Sequence, residues 1–268
     1  MKIDYVDDMT YNRVISLLKD NNHKLLYFTR MGSRAYGVAT EKSDYDYYGV
    51  FLPSKAELDP FSHGYYGFGP KPTVKEHYDL KYSYGNDTVL AEVNVYNVVK
   101  YYSLAASASP NVLDSLFTDL EDVLYIHPLF AETLHNKKLF LSKKLAATYH
   151  GFAASQLKAL TSDKTRADSK RGLLIKEYGY DVKAAYHMFR MLMSATDALN
   201  DGTFCAKPGE SRRKFLIDVK NGVYTLDDVE MDFAHVLAKF KAAEMGTMLP
   251  ETVDYKTLND MLGKIVNK

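Results

Sequence analysis

The feature that most constrains this chain is a change of hydrophobic rhythm near Pro128. Before it, short apolar and aromatic runs are cut by Gly, Pro and Asn; beyond it, apolar residues recur at helical spacing almost to the end. Lys24–Met31 (KLLYFTRM), bounded by Asn22 and Gly32, and Tyr45–Leu52 (YDYYGVFL), stopped by Pro53, read as neighbouring strands. Strand patterning returns at 73–82 and 89–93, while 9–18, ended by Asn21-Asn22, and 94–106 take helical spacing. Past Pro128, residues 143–160, 181–199, 226–245 and Tyr255–Val266 all read as helices. The expectation is an α/β first half and a nearly all-helical second half.

Charge divides at the same place. The 34 Lys/Arg and 34 Asp/Glu cancel, which excludes a uniformly cationic nucleic-acid binder. Residues 1–127, however, carry 12 basic against 17 acidic side chains, and 128–268 carry 22 against 17, so two domains with different tasks are expected. Nine Lys/Arg fall within 137–171 against only Asp163 and Asp168; such a stretch either attracts polyanions or forms a solvated helix face. The single Cys205 cannot close an internal disulfide and, with no helper His nearby in sequence, reads as a packed side chain. No apolar run suits a signal peptide or a membrane span, so the chain is expected to be soluble and cytoplasmic, with no membrane partner. The 22 tyrosines, with no tryptophan, are read chiefly as filling for half-buried strands.

The segment richest in chemistry is Gly32-Ser33-Arg34-Ala35-Tyr36-Gly37, followed by Ser43-Asp44-Tyr45-Asp46. Glycine directly after a strand lets backbone approach a polyanion without a Cβ in the way, and the N–H groups that follow can point at phosphate oxygens. Ser33 adds a hydroxyl donor and Arg34 a charge for the same phosphates. Asp44 and Asp46, two apart in a strand, leave one face, where their carboxylates can bracket a divalent cation. Hard oxygen donors suit Mg²⁺, which generally recruits a couple of carboxylates plus substrate phosphates. Glu92, isolated in the later strand, is the candidate third acid of a two-metal site.

On these residues the chain resembles the DNA polymerase β-like nucleotidyltransferase superfamily: Gly32-Ser33, a spacer, Asp44-Tyr45-Asp46, then a third carboxylate. GSRAYGVATEKSDYDYYGVFLP, AEVNVYNVVKYYSLAASASPNVLDSLF, YGYDVKAAYHMFRML, VKNGVYTLDDVE and LPETVDYKTLNDML are similar to nucleotidyltransferases linked to bacterial and phage RNA repair, over most of the chain. The resemblance implies an α/β (α+β) fold, with a small mixed-sheet nucleotidyltransferase domain over 1–127 and a helical C-terminal domain over 128–268. It also implies transfer of NMP from an NTP with loss of pyrophosphate. Asp44, Asp46 and Glu92 carry over as ligands of Mg²⁺, with Mn²⁺ as the substitute ion, and Gly32 and Ser33 as phosphate contacts. The family pattern has Asp where Glu92 stands, and the extra methylene calls for a different rotamer.

Three further groups are candidates. In 181–199 the residues Lys183, His187, Arg190 and Ser194 form a polar ridge opposite an apolar stripe; it is read either as lying over the nucleotide phosphates or as a solvated face. The Gly/Pro-rich loop 60–72, with Phe61, His63, Tyr65, Tyr66 and Phe68, can close over a base or pack back onto the sheet. Asn111 is carried by the resemblance alone, and Arg212-Arg213-Lys214 is a short basic cluster, more ordinary as surface than as an RNA contact. The acceptor expected is an RNA or tRNA end. Nucleotidylylation of a protein shares every catalytic residue, and an inactive nucleotide-binding module is the non-enzymatic alternative.

Overall fold

The computed structural model describes residues 2–40, 43–58, 74–85, 87–161, 168–204 and 207–268. It is a mixed α/β structure whose backbone falls into two compact units: residues 1–106, 111–139 and 254–268 form the first, and 107–110 with 140–253 the second.

In the first unit, α1 (Lys2–Asp20) precedes β1 (Lys24–Met31), a short turn of helix α2 (Gly32–Ala35), β2 (Tyr45–Leu52), α3 (Lys55–Leu58) and the long hairpin of β3 (Lys75–Tyr84) and β4 (Asp87–Asn97). Then come α4 (Val98–Ala106), α5 (Pro110–Leu116), β5 (Val123–Ile126) and α6 (Pro128–His135). The five strands form one mixed sheet in the order β3-β4-β2-β1-β5; β2 and β4 run parallel and the other neighbours antiparallel.

Strand alternation sorts the sheet into two chemically different faces. Tyr45 and Tyr47 of β2, and Val89, Ala91, Val93 and Val95 of β4, pack with Val6, Val14 and Leu18 of α1 in one buried cluster. The intervening residues, Asp46 and Tyr48 on β2 and Leu90, Glu92, Asn94 and Tyr96 on β4, therefore lie on the opposite face. Strand β3 follows the same rule, with Tyr78, Leu80, Tyr82 and Tyr84 against the core and Lys75, His77, Asp79 and Lys81 on the other side.

The second unit contains α7 (Lys144–Ala159), α8 (Lys170–Tyr178), α9 (Val182–Asp201), α10 (Glu210–Lys220) and α11 (Leu226–Gly246). Helix α9 is its centre, packed by α7, α8, α10 and α11 and burying Phe189, Leu192, Ala195 and Leu199. Asp181 caps it, accepting from the N–H groups of Lys183 and Ala184 at 3.0 Å each, and Gly202 ends it in the left-handed region. The last helix, α12 (Tyr255–Val266), belongs to the first unit and packs on α4 and α6.

Several elements differ from the sequence expectation. Helix α1 begins seven residues earlier than periodicity indicated. Residues 94–97, expected to be helical, are the end of β4, held there by parallel pairing of Asn94 with Tyr48 and Asn97 with Phe51; α4 begins only at Val98. Strand β5 and helices α3, α6, α8 and α10 are additional. The loop 60–72 and Cys205 lie outside the described residues.

Candidate active site

Gly32 closes β1 at φ +64°, in the left-handed region that glycine enters without steric cost. Its neighbour Met31 pairs with Asp46 across β1 and β2, so the chain turns directly beside the Asp46 carboxylate. A Cβ on Gly32 would collide with Asp46 Oδ2 and stand 2.7 Å from Cγ and 3.0 Å from Cβ. Glycine is thus required twice here, for backbone conformation and for the space taken by an acid. The turn then closes on itself: Tyr36 N–H donates to the Gly32 carbonyl at 3.1 Å and Val38 N–H to that of Ser33 at 2.9 Å.

Asp46 stands opposite Glu92 in the parallel β2–β4 register. Because parallel partners project to the same side, two carboxylates from distant parts of the sequence share the face that α1 leaves uncovered. Asp44 is exposed and lies just ahead of β2, two residues before Asp46. Among the described residues no three His, Cys, Asp or Glu side chains form a preassembled metal cluster. The donor chemistry nonetheless suits a hard cation: carboxylate oxygens on one open face, too few for a closed cage, are what an ion shared with substrate phosphates requires.

Arg34 works within the protein. Its Nη2 donates to the Ser43 carbonyl at 2.8 Å, its guanidinium lies 3.6 Å from the centre of the Tyr45 ring, and its Nε is buried with no partner among the described residues. It ties the α2 turn to the segment entering β2, and so joins the two halves of the motif. The Ser43 hydroxyl adds to this by accepting from Thr40 N–H at 2.9 Å. On the other side, Tyr36 donates to Asp114 Oδ2 at 2.9 Å, fixing the turn to α5.

Residues that sequence reasoning did not single out extend the acidic face. The Asn94 amide lies 3.5 Å from Glu92 Oε1, and His77 Nδ1 is 3.1 Å from Asn94 Oδ1. His77 Nε2 is in turn 3.3 Å from Asp79, the β3 residue facing Glu92. Burial pushes the Tyr48 phenol well above its ordinary range; Tyr96 and the charge of Glu92 add to the rise, and a hydrogen bond from Asn111 opposes it. Asn111 therefore reaches the acidic face through Tyr48. Period-two alternation from Asp46 and Glu92 was the available signal for Tyr48 and Asn94; His77 and Asp79 required the hairpin register.

In the second unit, the ridge on α9 is not a solvated face. Lys183 is exposed, but Arg190 is 3% exposed and Ser194 4%. Burial, followed by the charges of Arg190, Lys183, Arg171 and Lys220, holds the His187 imidazole down at about 3, so it is neutral near pH 7 and a poor base. Arg212 makes a two-pronged pair with Asp197, at 2.5 and 3.0 Å, and Lys214 pairs with Asp218 at 2.6 Å, which engages both within the unit.

The site thus joins a strand-ending Gly-Ser turn to two acids on the face of a five-stranded mixed sheet opposite α1. The chain belongs to RlaP, the RNA repair pathway DNA polymerase beta family, whose model matches residues 7–263. That membership supports a DNA polymerase β-like nucleotidyltransferase of RNA repair. Among solved structures, a nucleotidyltransferase-like protein from Exiguobacterium sibiricum 255-15 is similar at 10% identity, covering 83% of this chain and 69% of that one with a TM-score of 0.27. No curated protein matches at a significant level. Among the described residues, no helix is long and apolar enough to cross a membrane.

Proposed function

We propose that the chain transfers a nucleoside monophosphate from an NTP to the end of an RNA, tRNA included, releasing pyrophosphate. The observation that carries this reading is the placement of Asp46, packed on Gly32 and opposite Glu92, which brings the Gly-Ser turn and two acids to one edge of one face.

In this reading Asp44, Asp46 and Glu92 hold Mg²⁺ or Mn²⁺, whose chemistry is to neutralise phosphate charge and lower the pKa of a bound hydroxyl. The turn that starts at Gly32 sets the Ser33 hydroxyl beside the Asp46 carboxylate, where it donates to a phosphate oxygen. Arg34 keeps the turn and the acids at a fixed separation through Ser43 and Tyr45. Asn94 limits the rotamers of Glu92, which offsets the freedom of its extra methylene. Acceleration then comes mainly from positioning and charge neutralisation.

The test is incubation of the full chain with labelled NTPs and either total RNA or cell protein. Label on RNA, lost in Asp46→Asn and Glu92→Gln, is the expected result. Label confined to protein would move the acceptor to the protein class, and no label with either would favour a binding module.

A further inference from the structure

Helix α9 gathers cations from its neighbours around one half-buried side chain. Lys183, His187 and Arg190 follow each other at spacings of four and three along α9, one turn above the next. Asp181, at its cap, holds Arg171 of α8 through Oδ2 at 3.3 Å while Oδ1 remains engaged with the helix N–H groups. From α10, its last residue Lys220 places Nζ 5.9 Å from the centre of the Tyr186 ring, and that ring centre lies 5.1 Å from that of His187. Three helices thus deliver Arg171, Lys183, Arg190 and Lys220 to the surroundings of one imidazole.

We propose that α8, α9 and α10 form a binding site for the phosphate chain of a nucleoside polyphosphate, built from Arg171, Lys183, His187, Arg190 and Lys220. Arginine and lysine supply charge-assisted hydrogen bonds to phosphate oxygens. Desolvation first, and then four charges that are all positive, keep the His187 ring neutral. A neutral imidazole offers one N–H to an anion without adding to the repulsion among the cations. Compactness selects the ligand class: a nucleic-acid backbone spreads its charge along a strip, about one per 3.4 Å of strand, whereas these cations act together on a single ring. A triphosphate or pyrophosphate concentrates charge in the same way. That the polyphosphate belongs to a nucleotide rests on the function proposed above; that a compact polyanion binds here does not.

The experiment is calorimetric titration of the full chain, without divalent metal, with inorganic tripolyphosphate, ATP and a single-stranded RNA oligonucleotide at two salt concentrations. The unmodified chain should bind tripolyphosphate and ATP, and the double variant Arg171→Ala/Lys220→Ala should bind both at least about tenfold more weakly. His187→Gln, which keeps a neutral N–H donor, should retain binding within a few-fold. Asp46→Asn should bind tripolyphosphate like the unmodified chain while losing turnover. Equal affinity in the double variant and the unmodified chain, or RNA binding with no tripolyphosphate binding, would overturn the site. Retained turnover in Asp46→Asn would instead remove the catalytic assignment and leave this one standing.

Discussion

Substituting Gly32→Ala tests whether the Gly-Ser turn and the acids form one unit. Two costs add at this position. A non-glycine residue at φ +64° pays about 1–2 kcal/mol in backbone strain. The new Cβ also lands 2.7 Å from Asp46 Cγ, where comfortable carbon contacts begin near 3.5 Å, so the carboxylate must retreat by roughly 1 Å. A displacement of that size at a reacting centre costs on the order of a hundredfold in rate. Gly85→Ala is the internal control: its φ is +61°, but nothing lies within 4 Å of its Cβ, so it pays the backbone cost alone. Urea unfolding should show Gly85→Ala destabilised by about 1–2 kcal/mol and Gly32→Ala by more than that, through the added contact with Asp46. Pyrophosphate release should fall by about two orders of magnitude only in Gly32→Ala. If the two variants turn over alike while both remain folded, the contact between Gly32 and Asp46 has no catalytic meaning and the reasoning fails.

Other outcomes follow from the same geometry. Arg34→Lys keeps the charge but loses the planar stack on Tyr45; if Arg34 acts by fixing the spacer, kcat should drop about tenfold, whereas full activity would show that charge alone matters. His23, 5% exposed and bonded through both ring nitrogens to Glu57 at 2.7 Å and Glu76 at 3.0 Å, should cost about 1–3 kcal/mol as His23→Leu, because each carboxylate loses a hydrogen bond and Glu57 keeps those from Ser54; a urea midpoint within error of the unmodified chain would contradict this. His187 gives a pH signature with a definite sign. Its folded pKa lies near 3 against about 6.5 when unfolded, so below pH 6.5 the unfolded state takes up a proton that the folded state refuses. Stability should therefore fall by roughly 2 kcal/mol more between pH 7 and 5 than in His187→Gln, and matching slopes would refute the assignment.

Much of the first unit was legible because its breaks are sharp. Lys24–Met31 sits between Asn22 and Gly32, and Tyr45–Leu52 stops at Pro53, so apolar runs and strands share the same limits. The stretch Asn94-Val95-Tyr96-Asn97 shows what local reading lacks: its polar ends suit a helix entry, but β2 offers a row of parallel partners that keeps the chain extended. Helix α10 (ESRRKFLIDVK) escaped because charges dominate a short segment whose burial rests mainly on Leu216 and Val219. Gly32, Asp44 and Asp46 could be read from their spacing. The adjacency of Glu92 to Asp46 could not, because it depends on a parallel register set by strands 46 residues apart, and the Asn94–His77–Asp79 chain depends on that register again through the hairpin.

The register itself is held by polar chemistry on the opposite face. A slip of β2 by one residue would turn Asp46 and Tyr48 under α1 and expose Tyr45 and Tyr47, so the acids and the core depend on a single choice. Apolar burial alone discriminates weakly here, since tyrosines lie on both faces of β2. The sharper discriminator is Tyr47, whose hydroxyl donates to Asp7 of α1 at 2.7 Å, while Arg30, its partner across β1, bonds the same carboxylate at 2.5 and 3.0 Å and reaches Asp122 at 3.4 Å. A shifted strand would leave Asp7 buried at 4% exposure without its phenol and would cost about 1–3 kcal/mol for that group alone. Charges buried beneath the sheet thus fix which side the catalytic candidates occupy, although none of them lies on that side.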